Sequence, residues 1–217
     1  MGRYPFMRNV MVRPGKPENV IVAGAAGGIE VDINEPAGAP HAIALIAHPH
    51  PLQGGTKDNK VVTTLARAFV ALGCVALRPN FRGVGRTEGA HDEGRGESDD
   101  LVAVAQFARA RYGELPLVCA GFSFGAFVQA QVSNRLAPRQ FVLVAPAVGR
   151  MANTAFTAET LLIHGERDDI VPLAAALDWA RPRNLPVVVV PGGEHFFHGR
   201  LAILHQIVTR YCKSMLP

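Results

Sequence analysis

Only four serines occur in this chain of 217 residues, and one of them, Ser123, stands between two glycines in GFSFG, residues 121–125. The apolar run PLVCAG leads into it and a segment with helical periodicity, 125–136, follows, so the serine falls at a strand-to-helix turn. So sharp a turn pushes its central side chain into the open and leaves no room for a bulky Cβ two residues away on either side, a need met by Gly121 and Gly125. A serine hydroxyl is a poor nucleophile without a base. PGGEHFFHG, after the run VVVV, supplies His195. His198, three residues on, is expected on the following helix, 197–213, and His195 is preferred. An imidazole base is held by a carboxylate, and IHGERDDIVP offers Asp168 and Asp169. One would face the imidazole; the other would serve as a turn residue or helix cap. Serine, acid and histidine occur in that order, each just after an apolar run, and the chemistry they imply is acyl transfer through a serine ester.

Acyl transfer also needs N–H donors for the developing oxyanion. One is the backbone N–H of Phe124, at the start of the helix. The second is sought in an early loop, and AHPHPLQGGT, 47–56, follows the run AIALI. His48 and His50 there also have the spacing of a metal-binding pair. No further ligand cluster follows them, so a metal-dependent reading ranks last, and neither a metal nor an organic cofactor is expected. NFRGVGRTEG, 80–89, is Gly-rich but lacks the Gly-Lys-Ser/Thr ending of a phosphate loop, and its glycines read GxGxxxG instead of GxGxxG. It is expected to be a tight structural turn at the floor of the site.

These residues need a scaffold. VIVAG and IEVDI flank Ala-Ala-Gly-Gly as a hairpin. HAIALIA, CVALR, PLVCAG, QFVLVA, ETLLIHG and PVVVV read as strands buried on both faces. Helices are expected at 59–72, with Gly73 as the stop, from Ser98 as N-cap to about Tyr112 with Asp99 and Asp100 in its first turn, and at 125–136, 172–180 and 197–213. Strand and helix alternate after the hairpin. This order predicts an α/β fold: a mostly parallel sheet with an N-terminal antiparallel hairpin and helices on both faces, as a single domain over residues 1–217. In such sheets, catalytic groups gather at the carboxyl ends of the strands.

The net charge of +4 comes from scattered arginines with no basic run, so a nucleic-acid partner is not expected. No apolar run is long enough to cross a bilayer, and no secretory leader is evident in MGRYPFMRNVMVRPGK. Cys74, Cys119 and Cys212 are odd in number and form no CxxC, as expected of small buried side chains in a reducing cytoplasm.

The combination HPHPLQGGTKDNKVV, NFRGVGRTEG, GFSFGA, HGERDDIVP and GGEHFFHG, spanning residues 48–199, resembles the α/β-hydrolase superfamily. It is similar to the small lidless bacterial serine hydrolases near the dienelactone hydrolase and carboxylesterase branch. The resemblance implies the α/β-hydrolase fold and a Ser-Asp-His triad. Its HGxxDxxVP pattern places the acid at Asp168, its GxxH pattern places the base at His195, and its elbow serine falls on Ser123. The family's early loop is His-Gly-x, with x donating an N–H. Here Pro49 replaces the glycine, which makes His50 the second donor, with Leu52 as the alternative. PAVGRMANTAFTAET, between VLVA and LLIH, is too short for a multi-helix cap, so an open site is expected, rimmed by Leu52, Met151, Phe156 and Phe196. The implied activity is hydrolysis of small carboxylic esters or thioesters. The alternatives are amide or peptide cleavage or acyl transfer by the same triad, and a non-catalytic binding module on this fold. Oligomeric state and substrate identity have no signature in the chain.

Overall fold

AIALIA carries no polar side chain on either face, so as a strand it belongs in the middle of a sheet covered on both sides. The computed structural model, which describes residues 16–151 and 159–214, puts it there. β3 (Ala42–Ala47) is fully buried and runs parallel to β4 (Cys74–Pro79) on one side and β5 (Leu117–Phe122) on the other. Beyond β5 follow β6 (Gln140–Val144), β7 (Glu159–Gly165) and β8 (Val187–Val190), all parallel. Beyond β4 lies the antiparallel hairpin of β2 (Gly27–Asn34) and β1 (Glu18–Gly24), giving the order β1-β2-β4-β3-β5-β6-β7-β8.

Successive side chains of a strand point to opposite faces, and the two cores follow that alternation. Ile43, Leu45 and Ala47 share one core with α2 (Arg95–Tyr112), α3 (Phe124–Gln131) and α5 (Leu173–Ala180). Ala42, Ala44 and Ile46 share the other with α1 (Lys60–Ala71) and α6 (Leu201–Lys213). The three cysteines lie buried and unpaired in these cores, and burial raises each thiol well above its ordinary pKa. Residues 145–158 are the whole connection from β6 to β7, with no length for a helical cap. Among the described residues, no helix is long and apolar enough to cross a membrane.

The strands fall where the sequence places them, and three helix boundaries do not. α2 starts at Arg95, before the expected Ser98, because Gly94 reverses the chain at φ 96°, a conformation suited to glycine. The buried Glu97 carboxylate accepts the N–H groups of Asp92 and Gly94, and Ser98 instead bonds back to the Gly94 carbonyl. Asp100, pushed beyond the first turn, holds the Arg82 guanidinium through two hydrogen bonds of 2.7 and 3.0 Å. The helix expected over 125–136 is broken at Val132 into α3 and α4 (Ser133–Leu136). The last helix begins at Leu201 and not at 197, because Phe197 and Gly199 both take positive φ and keep the preceding turn open. Gly73 does stop α1, at φ 80°, and Asn59 caps its start by accepting the Val61 N–H.

Candidate active site

The sheet brings the carboxyl ends of β3, β5, β7 and β8 to one edge of the molecule. Ser123 follows β5 directly and sits at φ 54°, ψ −116°, a sparsely populated conformation for a residue with a side chain. Neighbouring backbone holds it there: its N–H donates to the Val144 carbonyl (2.9 Å), and its own carbonyl accepts the Ala147 N–H (3.2 Å). The flanking glycines are sterically required. A Cβ on Gly121 would lie 2.5 Å from the Ala126 nitrogen, and one on Gly125 would lie 2.4 Å from the Ala47 oxygen. The second contact shows that the start of α3 packs backbone to backbone against the end of β3.

His195 lies in the turn after β8 and is buried. Its Nε2 is 3.1 Å from Ser123 Oγ and its Nδ1 is 2.8 Å from Asp168 Oδ2. A ring that donates from Nδ1 to a carboxylate keeps Nε2 free to accept the serine proton. Asp168, after β7, also accepts the N–H groups of Ile170 (3.0 Å) and Val171 (2.8 Å) through Oδ1. Burial alone would raise its pKa. The hydrogen bonds from His195 and Val171, with the His195 charge, outweigh burial and hold the carboxyl below its ordinary value. Asp169 is exposed, so the turn role expected of it falls to Asp168 as well. His198 is not on a helix; it is exposed beside the Glu194 carboxylate. The His195 ring is flanked by Phe122, at 5.0 Å between centroids, and by Phe196, edge-on at 5.2 Å.

The loop after β3 has a specific internal structure. His48 is fully buried, with Nδ1–H donating to the Pro49 carbonyl (2.6 Å) and Nε2 accepting the Phe81 N–H (2.9 Å). Both ring nitrogens are therefore engaged, and no lone pair is left for a cation. Through Phe81 the ring ties this loop to the Gly-rich turn 80–89, where Gly83, Gly85 and Gly89 all take positive φ. Burial, offset only in part by the Pro49 carbonyl, lowers the His48 pKa to about 4. The unfolded chain protonates this ring near pH 6.5, so His48 stability is intact above that pH and falls between pH 6.5 and about 4. The expected loss is roughly 3 kcal/mol. Urea unfolding across that range should show it, and His48→Gln should flatten the slope.

After His48 the chain curls into a 3-10 turn, Pro51–Gln53, whose start is closed by the His50 carbonyl accepting the N–H groups of Gln53 and Gly55. The His50 ring lies 4.8 Å from the rings of both Phe124 and His91. Burial first, then the His91 and Arg150 charges, lower its pKa. Arg150 lies 5.7 Å over the Phe124 ring and pairs with Glu93 at 2.6 Å, while His91 Nδ1 is 2.8 Å from the Glu97 carboxylate. Phe124 is the first residue of α3, where a helix leaves its N–H groups without intrahelical partners.

Of the expected rim residues, Leu52 is 74% exposed on the 3-10 turn and Phe196 is 40% exposed against His195. Met151 does not belong to the rim. A second 3-10 turn, Val148–Arg150, folds the chain inward, so Met151 is fully buried in the core and its carbonyl accepts the Trp179 indole N–H at 2.8 Å. Phe156 lies outside the described residues. The sequence had no signal for His91 or Arg150, which lie in non-periodic segments; His164 is the first residue of the HGxxDxxVP pattern, which carries no indication of what its ring does.

The profile of the family described as serine aminopeptidase, S33, matches residues 39–154. The chain belongs to this family of α/β-hydrolases. An α/β serine hydrolase without lid from Xanthomonas campestris is 35% identical, with a TM-score of 0.89 over 94% of this chain and 97% of its own. An α/β serine hydrolase homologue from Coxiella burnetii is 38% identical, with a TM-score of 0.86 over 92% of this chain and 99% of its own. The Rickettsia prowazekii protein RP471 is 29% identical over 81% of this chain and 80% of its own. The chain is thus an α/β-hydrolase of the small lidless bacterial type, as the eight-stranded sheet and the short β6–β7 connection show.

Proposed function

We propose that this α/β-hydrolase cleaves small carboxylic esters or thioesters through an acyl-enzyme intermediate, acting in the cytoplasm without metal or organic cofactor. The observation that carries the reading is the hydrogen-bonded chain from Ser123 through His195 to Asp168, with contacts of 3.1 and 2.8 Å. Ser123 Oγ attacks the carbonyl carbon as its proton passes to His195 Nε2. The imidazolium, held by Asp168, returns that proton to the leaving alcohol or thiol. Water, activated by the same imidazole, then attacks the acyl carbon and releases Ser123.

The oxyanion is held by the backbone N–H groups of Phe124 and His50. Pro49 has no N–H to offer. The close approach of Gly125 to the Ala47 and His48 carbonyls brings His50, two residues after His48, up to Phe124. Leu52 and Phe196 supply an apolar rim for a modest acyl or alcohol group.

The test is a series of p-nitrophenyl esters and acyl thioesters of increasing chain length, with a fluorophosphonate probe alongside. Covalent labelling at Ser123 and turnover highest for short acyl chains are expected. No labelling, with no turnover of any ester or thioester, would overturn the proposal. The description of the matching family as a serine aminopeptidase favours a second reading, amide cleavage by the same residues. Faster turnover of aminoacyl amides than of the matched esters would select it.

A further inference from the structure

A second buried imidazole lies behind the acid. His164 is the penultimate residue of β7 and has no exposed surface. Its Nε2 is 2.7 Å from the Val171 carbonyl oxygen and 3.4 Å from Asp168 Oδ2. Both neighbours are acceptors, so the proton resides on Nε2. Nδ1, the bare nitrogen, has no hydrogen-bond partner among the described residues. The titratable groups that face the ring are Asp168 and His195. Burial is the strongest influence and lowers the His164 pKa despite the Val171 carbonyl and the Asp168 charge, so the ring is neutral when the protein works near neutral pH.

The contacts close a circuit. Val171 donates its N–H to Asp168 Oδ1 at 2.8 Å, and the carbonyl of the same residue accepts His164 Nε2–H. Asp168 Oδ2 faces His164 Nε2 on one side and receives His195 Nδ1–H on the other. The segment carrying Asp168 is a turn whose Glu166, Arg167, Asp169 and Ile170 are exposed. Before Asp168 it is tied down by the Glu166 and Arg167 N–H groups, bonded to the Val190 and Gly193 carbonyls. After Asp168, the fully buried His164 ring ties the turn to β7 through the half-buried Val171. An imidazole on a strand paired on both sides, as β7 is with β6 and β8, is a rigid support, and a general acid–base pair works only when its geometry is held to a fraction of an ångström.

We propose that His164 is a positioning residue, which fixes Val171 and through it the Asp168 carboxylate, so that Oδ2 meets His195 Nδ1. This inference rests on the reading of Ser123, His195 and Asp168 as the catalytic set. It assigns His164 no contact with substrate; its effect on the base passes through the carboxylate.

The experiment is a double-mutant cycle between His164 and Asp168, read by ester turnover, its pH profile and fluorophosphonate labelling of Ser123. His164→Leu should lower kcat about 10- to 100-fold with little change in KM. It should also move the acid limb of kcat/KM to lower pH, because the imidazolium loses a well-held counter-charge. His164→Gln, whose amide N–H can reach the Val171 carbonyl, should recover most of the loss. In an Asp168→Asn background, His164→Leu should cost less than about twofold. A loss carried over in full into Asp168→Asn would overturn the positioning role, as would an unchanged kcat and pH profile in folded His164→Leu. If thermal melting shows that His164→Leu does not fold, the comparison passes to His164→Gln against His164→Asn, whose shorter amide cannot reach; equal activity of those two would overturn the role. Wild-type protein that neither labels at Ser123 nor turns over esters would instead bring down the catalytic reading. A labelled, active wild type with an additive cycle brings down the positioning role alone.

Discussion

Ser123→Ala is expected to lower ester turnover by about 10⁴- to 10⁶-fold while the protein melts as the wild type does. The loss is large because the nucleophile, base and acid act as a unit: without Oγ, His195 has no proton to take and no acyl-enzyme forms. The rate that remains comes from substrate binding and the oxyanion donors. The fold should tolerate the change for a local reason. The strained backbone at φ 54°, ψ −116° is held by main-chain bonds to Val144 and Ala147, and Oγ caps nothing. Steady-state kinetics with a p-nitrophenyl ester and a thermal melt on the same sample check both halves. Undiminished turnover in the folded variant would remove Ser123 from the mechanism.

Asp168→Asn is expected to lower kcat by about 10³- to 10⁴-fold, again without unfolding. The asparagine Oδ1 can still accept the Ile170 and Val171 N–H groups, so the turn keeps its shape. Its NH₂ would then face His195 Nδ1, which must become the acceptor. The ring proton moves to Nε2, and the base loses the lone pair that takes the serine proton. The variant also bears on stability. Asp168 is held below its ordinary carboxylate pKa against the opposing effect of burial. A depressed carboxyl contributes stability that is present above its unfolded pKa, near 4, and is lost as pH falls through its folded value. Urea unfolding at pH 7 and below pH 4 should show that contribution in the wild type and its absence in Asp168→Asn. A variant with full kcat would show that the carboxylate does not orient the base.

Much of this protein is legible in the chain because the constraints are local. At the elbow the demand on Gly121 is local, since a Cβ there would strike the Ala126 nitrogen at 2.5 Å, and the Gly-x-Ser-x-Gly spacing records it, although the matching demand on Gly125 comes from Ala47 across the fold. The strands are legible because burial on both faces demands unbroken apolar runs, and helices on either side follow from that demand. The helix starts were harder to read. Ser98 looks like a cap and is not, because Gly94 can take a left-handed turn and Glu97 can reach back to it.

What the tertiary structure alone decided are contacts between residues distant along the chain. Asp168 and Asp169 are adjacent and chemically identical; the family resemblance points to Asp168, and the approach of His195, 27 positions later, is the contact that separates the two. The His48 and His50 pair has metal-like spacing, yet the Phe81 N–H, 33 positions on, takes the free nitrogen of His48 and makes the ring a brace. Met151 looks like rim, but a 3-10 turn drops it into the core beneath Trp179. His164 opens the HGxxDxxVP pattern at the end of an apolar run, which predicts burial but is silent on what the ring touches. Sequence by itself singled out Ser123 as the candidate nucleophile and set the order of elements and the list of candidates, because the turn and strand patterns that mark them lie within short stretches of the chain. The assignment of partners to each polar atom required the fold, because hydrogen bonds depend on distance in space and not along the chain.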